Sequence, residues 1–340
     1  MQQQTLVVGA GVAGLQCAAD LRNAGRQVRV LERARSVGGR CATRRFEGQP
    51  VDFGPMFLHG EQPNFLAALG QVPGGGLETW PLRVEGGGPP CQVGALAPYV
   101  RRGSFADGLK AFPNHLATGL DIHLETTVTG LQPVPGGFQV TAADGGHHFG
   151  SDLVLALALP ETLALLETLP ASAELAGVQA LLGLFSSLPC LTLIAGYPLD
   201  TPAPPWDLLY PRESYLLQLI AQDSSKRPAP RFRALVCQAR PKWSRQHQEA
   251  PTATWAADLL REAAALAGPW ILQPSWTHPH RWRHARVDPT NELAQPVLIQ
   301  LPGGQRLGLA GDVFAPGGGV QAAWTSGMRL AQRLLAKETP

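Results

Sequence analysis

The stretch TLVVGAGVAGLQCAADLRNAG, residues 5–25, decides the fold class. Its apolar start, TLVVG, has the composition of a buried parallel strand, and the segment after the glycines carries apolar residues at helical spacing as far as Gly25. QVRVLE, residues 27–32, has the pattern of a second strand. A strand, a helix and a strand within about 30 residues predict a βαβ unit with a right-handed crossover.

The turn between this strand and helix contains GAGVAG, whose glycines have the spacing of a dinucleotide fingerprint: Gly9, Gly11 and Gly14. The first glycine permits a tight turn, the second lets the backbone approach a diphosphate, and the third lets helix and strand pack closely. The diphosphate would lie near Ala13, where the N–H groups of the helix N-terminus favour negative charge. Glu32, followed by Arg33, can accept hydrogen bonds from a ribose. The segment therefore predicts a site for NAD or FAD.

Length, composition and charge exclude several classes of function. The chain has 340 residues, 44% of them hydrophobic and 16% charged, which describes a globular protein with a substantial core. A formal net charge of +2 gives no basis for binding nucleic acid. The five cysteines are scattered without CxxC spacing, which favours neither zinc nor a disulfide framework. No segment offers about 18 uninterrupted apolar residues and the N-terminus lacks a basic leader, so we expect a cytoplasmic protein without a membrane span.

The middle of the chain predicts a second, sheet-rich domain inserted into the first. Residues 121–143 consist of short alternating segments with a turn at Pro135-Gly136-Gly137, which predict an antiparallel meander. SDLVLALALP, residues 151–160, predicts a strand that returns to the first sheet. From 165 to 290, strand-like segments alternate with proline-rich turns, and one helix is expected at residues 253–268.

These patterns predict an α/β fold with a discontinuous Rossmann-type domain and an inserted domain. We expect the nucleotide-binding domain to comprise residues 1–75, 100–165 and 290–340, and the substrate domain to comprise residues 76–99 and 166–289.

The C-terminal stretch GLAGDVFAPGGGVQAAWTSG, residues 308–327, is a second glycine-rich segment. An apolar strand ends at Gly311 and Asp312, and three further glycines lead into an apolar helix that contains Gly319, Val320 and Ala323. A plain C-terminal helix explains the apolar residues but not the acid and the glycines before it. The N–H groups at the start of such a helix favour negative charge.

The segment ERARSVGGRCATRR, residues 32–45, separates FAD from NAD. Gly38 and Gly39 let the chain pass close to a cofactor, and Arg40 can present a planar charged fork to diphosphate oxygens. Here the sequence resembles the flavoprotein amine oxidase superfamily, in which a second-strand acid and a GGR turn contact FAD. The resemblance implies noncovalent FAD, with Asp312 at the ribityl chain or diphosphate and the helix after it at the flavin ring. It also implies that Val128, in TTVTGL, meets the adenine side through its backbone.

Within this superfamily the chain is most similar to the renalases and their bacterial relatives. The similarity rests on GGR, on WSRQH at 243–247, on HRWRHAR at 280–286 and on the C-terminal stretch. It implies a two-domain fold like that of hydroxybenzoate hydroxylase. It further implies oxidation of a small molecule, an isomeric dihydro-NAD(P), by hydride transfer to flavin N5, with O2 reoxidising the flavin to give H2O2.

Three residues are candidates for the substrate pocket: Trp282, Phe57 and His59. VDFGPMF, residues 51–57, resembles the D-x-G segment that leads to the flavin ring in the family, although Asp52 could equally be a turn or cap residue. The family continues with a tyrosine-containing run, whereas this chain has PMFLHGE, with Phe57 and His59. Trp282 matches an aromatic residue of the family's pocket-side segment. We therefore expect these three side chains to line the substrate pocket.

We expect no metal site. His280 and His284 have the spacing of helical metal ligands, but Arg281 and Arg283 beside them would oppose a cation.

Three functional hypotheses remain open. The first is the renalase-like oxidase, the second an amine oxidase or desaturase-like enzyme of the same superfamily, and the third a flavin- or dinucleotide-binding protein without turnover. Amine oxidases commonly place a lysine beside flavin N5, and Lys242, in RPKWSR, is nearest to a matching segment. A short-chain NAD dehydrogenase is disfavoured because Tyr-x-x-x-Lys does not occur; Tyr99 is followed four residues later by Gly103.

Overall fold

The computed structural model describes residues 4–74, 76–92, 94–288 and 292–336. The expected domain boundaries at positions 75, 289 and 290 lie outside these ranges. The chain forms two compact units. Unit 1 consists of Met1–Cys41, Phe112–Ser187 and Val287–Pro340, and unit 2 consists of Ala42–Ala111 and Leu188–Arg286.

Strands outnumber helices among the described residues. The strands are β1 (Gln4–Val8), β2 (Gln27–Leu31), β3 (Thr43–Phe46), β4 (Gln49–Asp52), β5 (Leu58–Gly60), β6 (Val84–Glu85), β7 (Arg101–Gly103), β8 (Asp121–His123), β9 (Val128–Val134), β10 (Gly137–Ala142), β11 (His147–Gly150), β12 (Asp152–Leu155), β13 (Ser187–Tyr197), β14 (Leu208–Leu209), β15 (Leu217–Gln222), β16 (Arg233–Ala239), β17 (Trp276–Val287), β18 (Val297–Gln300) and β19 (Arg306–Leu309). The helices are α1 (Val12–Asn23), α2 (Pro63–Gly70), α3 (Ala111–Leu116), α4 (Leu159–Leu166), α5 (Ala173–Leu182), α6 (Pro241–His247), α7 (Thr252–Ala267) and α8 (Gly319–Leu335), with 3-10 turns at Asp223–Lys226 and Pro269–Leu272.

Unit 1 is built on a sheet with the strand order β18-β19-β12-β1-β2-β8. All neighbours in it are parallel except the edge strand β18, which is antiparallel to β19. The predicted βαβ unit is β1, α1 and β2, and the two predicted returning strands, β12 and β19, join the sheet on the β1 side. Alternate residues such as Leu6 and Val8 pack in a core with α4 and α5, which explains why the strands are apolar.

Helices α1 and α8 pack closely against each other in unit 1. A methyl group added at Gly327 of α8 would lie 2.2 Å from the carbonyl oxygen of Ala13 of α1, so this glycine permits the close approach. The N-terminal and C-terminal parts of the chain thereby form one structural unit.

The antiparallel meander is present but begins and ends later in the chain than expected. β9, β10 and β11 form it, and its first turn lies at the predicted glycines. The expectation was wrong for the first part of residues 121–143, because β8 pairs in parallel with β2, with Ile122 opposite Val30. Helix α5 was also missed; the Ser172 hydroxyl caps it by accepting a hydrogen bond from the Leu175 N–H at 3.2 Å.

Unit 2 is built on a second sheet with the order β17-β13-β16-β15-β14-β6. One face packs on α6 and α7, where Trp243 and Trp255 are buried. The other face packs on residues of the segment 42–96, among them Val51, Phe53 and Phe57. We call the second face the Phe53 face.

The structure divides the chain at residues other than those the sequence suggested. Residues 42–74 and 100–111 belong to unit 2, and residues 166–187 belong to unit 1. Packing accounts for the difference, because Val51 and Phe53 lie in the core of the second sheet whereas Leu175 and Val178 lie in the core of the first. Proximity to the fingerprint along the chain does not decide which sheet a segment covers.

Candidate functional site

The carboxyl ends of the parallel strands meet at one edge of the unit 1 sheet. Backbone hydrogen bonds tie the segments together there: the N–H of Gly9 donates to Leu31 O at 2.8 Å, that of Ala156 to Val8 O at 2.8 Å, and that of Ala310 to Leu155 O at 3.1 Å. Open α/β sheets bind ligands at this edge. We call it the carboxyl edge, and it brings together the fingerprint, the end of β2 and the end of β19.

Two of the fingerprint glycines are required by the fold itself. Gly9 has a φ of +105°, and a methyl group there would lie 2.5 Å from Ala156 O. A methyl group at Gly14 would lie 2.0 Å from Gly9 O. Both positions therefore exclude a side chain for reasons of backbone conformation and packing.

Gly11 is different, because its own surroundings in the described chain do not require a glycine. Its φ is −75°, which any residue adopts, and no described atom lies within 4 Å of an added methyl group. It precedes α1, whose N-terminus has no side-chain cap. A phosphate group that approaches the backbone closely accounts for both the glycine and the uncapped N–H groups, so the residues present fit the diphosphate of a dinucleotide.

The GGR turn packs directly on the fingerprint loop. The N–H of Gly38 donates to Ala10 O at 2.8 Å, and Gly38 forms a parallel bridge with Gly11. Gly39, with a φ of +53°, lies so that a methyl group on it would be 3.4 Å from Gly11 Cα. The two glycine-rich segments that the sequence singled out therefore form one surface.

Glu32 lies buried at the end of β2 and is held by backbone groups. Its carboxylate accepts hydrogen bonds from the N–H of Ala10 at 2.7 Å and from that of Ala34 at 2.8 Å. Each carboxylate oxygen retains acceptor capacity for a ribose hydroxyl. Arg33 points elsewhere, with its side chain 63% exposed and paired with Glu161.

Val128 is close to this position in the fold. The N–H of Thr126 donates to Glu32 O at 2.9 Å, and Val128 begins β9 two residues later.

Arg40 and Asp312 form a bidentate ion pair. Arg40 Nη1 lies 2.7 Å from Asp312 Oδ2, and Arg40 Nη2 lies 2.8 Å from Asp312 Oδ1. Burial lowers the pKa of Arg40, but the charge of Asp312 and its hydrogen bonds outweigh this effect and raise it. The sequence suggested two separate cofactor contacts, whereas the structure joins GGR and the end of β19 in one charged unit. Sequence reasoning missed this pairing, since the two residues lie far apart in the chain.

The start of α8 has an unusual backbone. Gly317, Gly318 and Gly319 have φ angles of +89°, +58° and +67°, which only glycine adopts readily, and no side chain of the described residues caps the helix. Gly319, Val320 and Ala323 lie in its first turns, so N–H groups of this end lack partners within the helix.

Ser326 of α8 forms hydrogen bonds with Gly311, which follows β19. Sequence reasoning missed this residue. Its hydroxyl accepts a hydrogen bond from the N–H of Gly311 at 3.0 Å and lies 2.8 Å from Gly311 O. This contact fixes Gly311, and with it the neighbouring Asp312, relative to the helix.

The three predicted pocket residues all lie in unit 2, in or beside the cluster of the Phe53 face. Trp282 Nε1 donates to Phe53 O at 3.1 Å, and the two rings stack with centroids 5.4 Å apart. Phe57 is buried, and its ring centroid lies 5.8 Å from that of His59. His59 Nε2 lies 2.5 Å from Gln92 Oε1. Burial lowers the pKa of His59 more than Gln92 raises it, which favours the neutral imidazole at neutral pH.

Four charged side chains that sequence reasoning did not connect lie buried behind this segment: Asp52, Asp223, Lys226 and Arg227. Lys226 Nζ lies 3.0 Å from Asp52 and 2.7 Å from Asp223, and Arg227 Nη2 lies 3.0 Å from each carboxylate. We call them the buried quartet; its two positive and two negative charges balance. The i,i+3 and i,i+4 spacing of Asp223, Lys226 and Arg227 was the available signal.

The quartet fixes the start of the segment that carries Phe53, Phe57 and His59. Burial by itself raises the pKa of Asp52, but the charges of Lys226 and Arg227 and hydrogen bonds from Thr43 and Leu109 outweigh it and lower the pKa. Asp52 is therefore an ionised anchor, and neither an ordinary turn residue nor a helix cap.

The remaining candidates are His280, His284 and Lys242. His280 and His284 lie on strand β17, where positions four apart are separated by about 13 Å, so their spacing does not bring them together on a helix face. Among the described residues, no group of His, Cys, Asp and Glu side chains could hold a metal ion. Lys242 is exposed on α6, with Nζ 5.9 Å from the centre of the Tyr215 ring. None of the helices in the described parts of the chain is long and apolar enough to cross a bilayer.

Comparison with known proteins supports the assignment of a flavoprotein. The model of an NAD(P)-binding Rossmann-like domain matches residues 7–72, and that of flavin containing amine oxidoreductase matches residues 82–335. Putrescine oxidase of Kocuria rosea is 37% identical over 86 residues, which are 25% of this chain and 17% of that protein. The putative flavin-containing monoamine oxidase AofH of Mycobacterium tuberculosis is 40% identical over 81 residues, 24% of this chain and 17% of that protein. These matches thus span less than a fifth of either relative.

Solved structures show the same fold over the whole chain. Wild-type putrescine oxidase bound to putrescine has a TM-score of 0.71 and 14% identity, covering 99% of this chain and 100% of that chain. A putative protoporphyrinogen oxidase from Exiguobacterium sp. 255-15 has a TM-score of 0.67 and 14% identity, covering 98% and 99%. The predicted α/β fold with a Rossmann-type domain is confirmed.

The family follows from the extent of the second match. The flavin containing amine oxidoreductase model covers more than half of the chain, including β19, the Arg40 partner Asp312 and α8. The predicted flavin cofactor and the predicted class of oxidoreductase are thereby confirmed. The chain belongs to the family of flavin containing amine oxidoreductases.

Proposed function

We propose that the protein is an FAD-dependent oxidase that takes a hydride from an isomeric dihydro-NAD(P) and passes the electrons to O2. In this proposal unit 1 holds FAD and unit 2 recognises the substrate. The observation that carries the FAD assignment is the open space at Gly11 beside the GGR turn, on the same edge as the Arg40–Asp312 pair and Gly311. When bound, FAD supplies the hydride acceptor and the centre that O2 reoxidises.

The residues of unit 1 would bind and orient the cofactor. The uncapped N–H groups at the start of α1 face the position of a diphosphate, and Glu32 accepts from a ribose hydroxyl. Arg40, oriented by Asp312, adds a fixed positive charge near the phosphates. The N–H groups at the start of α8 would stabilise negative charge on the ring system.

The residues of unit 2 favour a planar substrate from which a hydride leaves without a general base. Phe53 is buried and stacks on the partly buried Trp282, whose indole is the aromatic surface that suits a nicotinamide ring. Hydride loss from a dihydropyridine requires no proton abstraction, so this reaction asks no side chain of unit 2 to act as a general base. This combination favours the dihydronicotinamide hypothesis over amine oxidation, as does the exposed position of Lys242.

The test is an anaerobic titration of the FAD-loaded protein followed by flavin absorbance. The 2- and 6-dihydro isomers of NAD(P) should bleach the flavin, and admission of air should restore the colour with formation of H2O2. Putrescine and benzylamine serve as amine probes. Bleaching by an amine and by no dihydronicotinamide would establish the amine oxidase alternative, and no bleaching by either class would support a binding protein without turnover.

A variant of Lys242 distinguishes the renalase-like oxidase from an amine oxidase. Lys242→Met should leave flavin reoxidation in air unchanged, because the side chain is exposed on α6. A variant that binds FAD but no longer reoxidises would show that Lys242 acts as the lysine of an amine oxidase.

A further inference from the structure

Arg286 is the last side chain that β17 presents to the Phe53 face. Trp276 and Trp282 pack in the cluster of that face, whereas Arg283 points away and pairs with exposed Glu249. Because side chains alternate along a strand, Arg286 lies on the same face as Trp282. Its surroundings agree, since the groups that interact with it include Cys91 and Tyr210, which belong to the same cluster.

Among the described residues, Arg286 has no acidic partner. The side chains that interact with this half-buried guanidinium are Cys91, Cys190 and Tyr210, and no carboxylate of the described chain is among them. Burial raises the pKa of Cys190 to about 11 and also raises that of Tyr210, so neither is charged at neutral pH. Arg40 and Arg227, in contrast, are each matched by carboxylates. A guanidinium that is partly removed from water without an anion is ready to bind one.

A second arginine, Arg102, lies on β7, which pairs with β5. These strands pair so that His59 is directly opposite Arg102. In the described ranges, Arg102 Nε is buried without a hydrogen-bond partner. His59 in turn contacts Gln92, which follows Cys91, the neighbour of Arg286. The two arginines are therefore connected through one short segment, Cys91–Gln92.

We propose that Arg286, supported by Arg102, binds an anionic group of the substrate, either a phosphate or a carboxylate. The planar guanidinium fork matches both groups with two parallel hydrogen bonds. A positive charge at this place also disfavours a cationic amine, so the same residues would set the preference for anionic substrates. This inference rests on the proposed function to the extent that it takes the Phe53 face as the substrate face.

The test compares two probes that differ only by a phosphate. They are the reduced nicotinamide mononucleotide isomer and the corresponding riboside, each used to reduce the FAD-loaded protein under anaerobic conditions. Arg286→Gln should raise the half-saturating concentration of the mononucleotide about tenfold or more and change that of the riboside less than about twofold. Arg286→Lys keeps the charge but loses the fork, and it should fall between Gln and wild type.

The matched control is Arg283→Gln, on the opposite face of the same strand with its partner Glu249 exposed. It should alter neither probe. Equal losses for both probes in Arg286→Gln would overturn the proposal, as would no loss for the mononucleotide combined with no response to phosphate or acetate in the anion titration described below. Arg286→Lys, with thermal unfolding of each variant, separates loss of binding from loss of folding.

Binding of small anions makes the inference independent of turnover. Inorganic phosphate and acetate are titrated separately while tryptophan fluorescence is followed, because Trp282 lies on the same face. A response to phosphate alone identifies a phosphate site, and a response to acetate alone identifies a carboxylate site; either response should vanish in Arg286→Gln. If no dihydronicotinamide reduces the flavin but this response is present, the proposed function fails and the anion site stands. If neither anion binds the wild-type protein, the anion site is refuted.

Discussion

The carboxyl edge of unit 1 and the Phe53 face of unit 2 are built by different means. At the carboxyl edge, backbone groups form the surface, and glycines at the fingerprint and the GGR turn keep it open. At the Phe53 face, side chains from separate segments form the surface, and the buried quartet holds one of these segments in place. We therefore expect the carboxyl edge to be disturbed most by substitutions that add a methyl group to a glycine. We expect the Phe53 face to be disturbed most by substitutions that leave a buried charge without its partner.

The largest effect is expected where the quartet loses one charge. Asp52→Asn keeps the size of the side chain but leaves Lys226 and Arg227 with a single carboxylate, in surroundings where Lys226 is 0% exposed. Removing one partner of a buried ion pair costs about 3–5 kcal/mol of unfolding free energy. Urea unfolding measures this loss.

Asp121→Asn is the control, because its ion pair with Arg29 is exposed and should contribute no more than about 1 kcal/mol. Similar small losses in both variants would mean that unit 2 does not depend on balanced charges.

The quartet also predicts loss of stability in acid. The folded-state pKa of Asp52 is lowered, so its contribution is complete above the unfolded value of about 3.9 and disappears as the pH falls through the lower folded value. Wild-type protein should therefore lose more stability below about pH 4 than Asp52→Asn does. Parallel pH profiles of the unfolding midpoint for the two proteins would contradict this assignment.

At the carboxyl edge, two glycines of one motif should respond in opposite ways. Gly14→Ala places a methyl group 2.0 Å from Gly9 O, and such overpacking costs about 1–3 kcal/mol with or without FAD. Gly11→Ala meets no described atom within 4 Å, so the apoprotein should keep its stability within about 0.5 kcal/mol, whereas its affinity for FAD should fall about tenfold. Thermal unfolding of the apoprotein and a fluorescence titration with FAD separate the two effects. If Gly11→Ala binds FAD as tightly as the wild-type protein, the diphosphate does not lie against Gly11.

Substitution in the ion pair of Arg40 and Asp312 tests whether side chains contribute to FAD binding at the carboxyl edge, where backbone groups form the surface. Asp312→Ala releases the Arg40 guanidinium from its fixed orientation, and the affinity of the protein for FAD should fall roughly threefold to tenfold. The FAD occupancy of the purified protein measures this loss. Asp121→Ala, an exposed acid of the same unit, serves as the control. If Asp312→Ala binds FAD as tightly as the parent, this end of β19 has no part in holding the cofactor.

The same contrast explains how much the sequence could predict. The fingerprint, Glu32, GGR and the glycines before α8 could be singled out as candidates because a need for glycine and an acid at a strand end are local properties of a sequence. The quartet was not found, because Asp52 and its partner Asp223 are 171 positions apart and meet only through the packing of β4 against the 3-10 turn Asp223–Lys226 in unit 2. Arg286 was overlooked for a related reason, since Cys91 and Cys190 lie far from it along the chain and become its neighbours only in the fold of unit 2.

The smallest effect concerns His280 on the Phe53 face. Burial, followed by the positive charges of His278 and Arg44, lowers the pKa of His280 to about 4. A folded-state pKa below the unfolded value of about 6.5 gives a stability contribution that is complete above pH 6.5 and is lost as the pH falls toward 4. Between pH 7 and pH 5 the wild-type midpoint of thermal unfolding should therefore drop roughly 1 °C more than that of His280→Gln.

His147→Gln, at an exposed position of unit 1, should keep the wild-type slope in the same pair of measurements. An identical slope in His280→Gln would show that water reaches this imidazole freely. The ring contacts of His280 with Phe53 and Trp282, at 5.0 Å and 4.2 Å between centroids, argue for the opposite. A difference in slope would thus sharpen the contrast with the carboxyl edge, because it would show that side-chain packing at the Phe53 face excludes water from a titratable group.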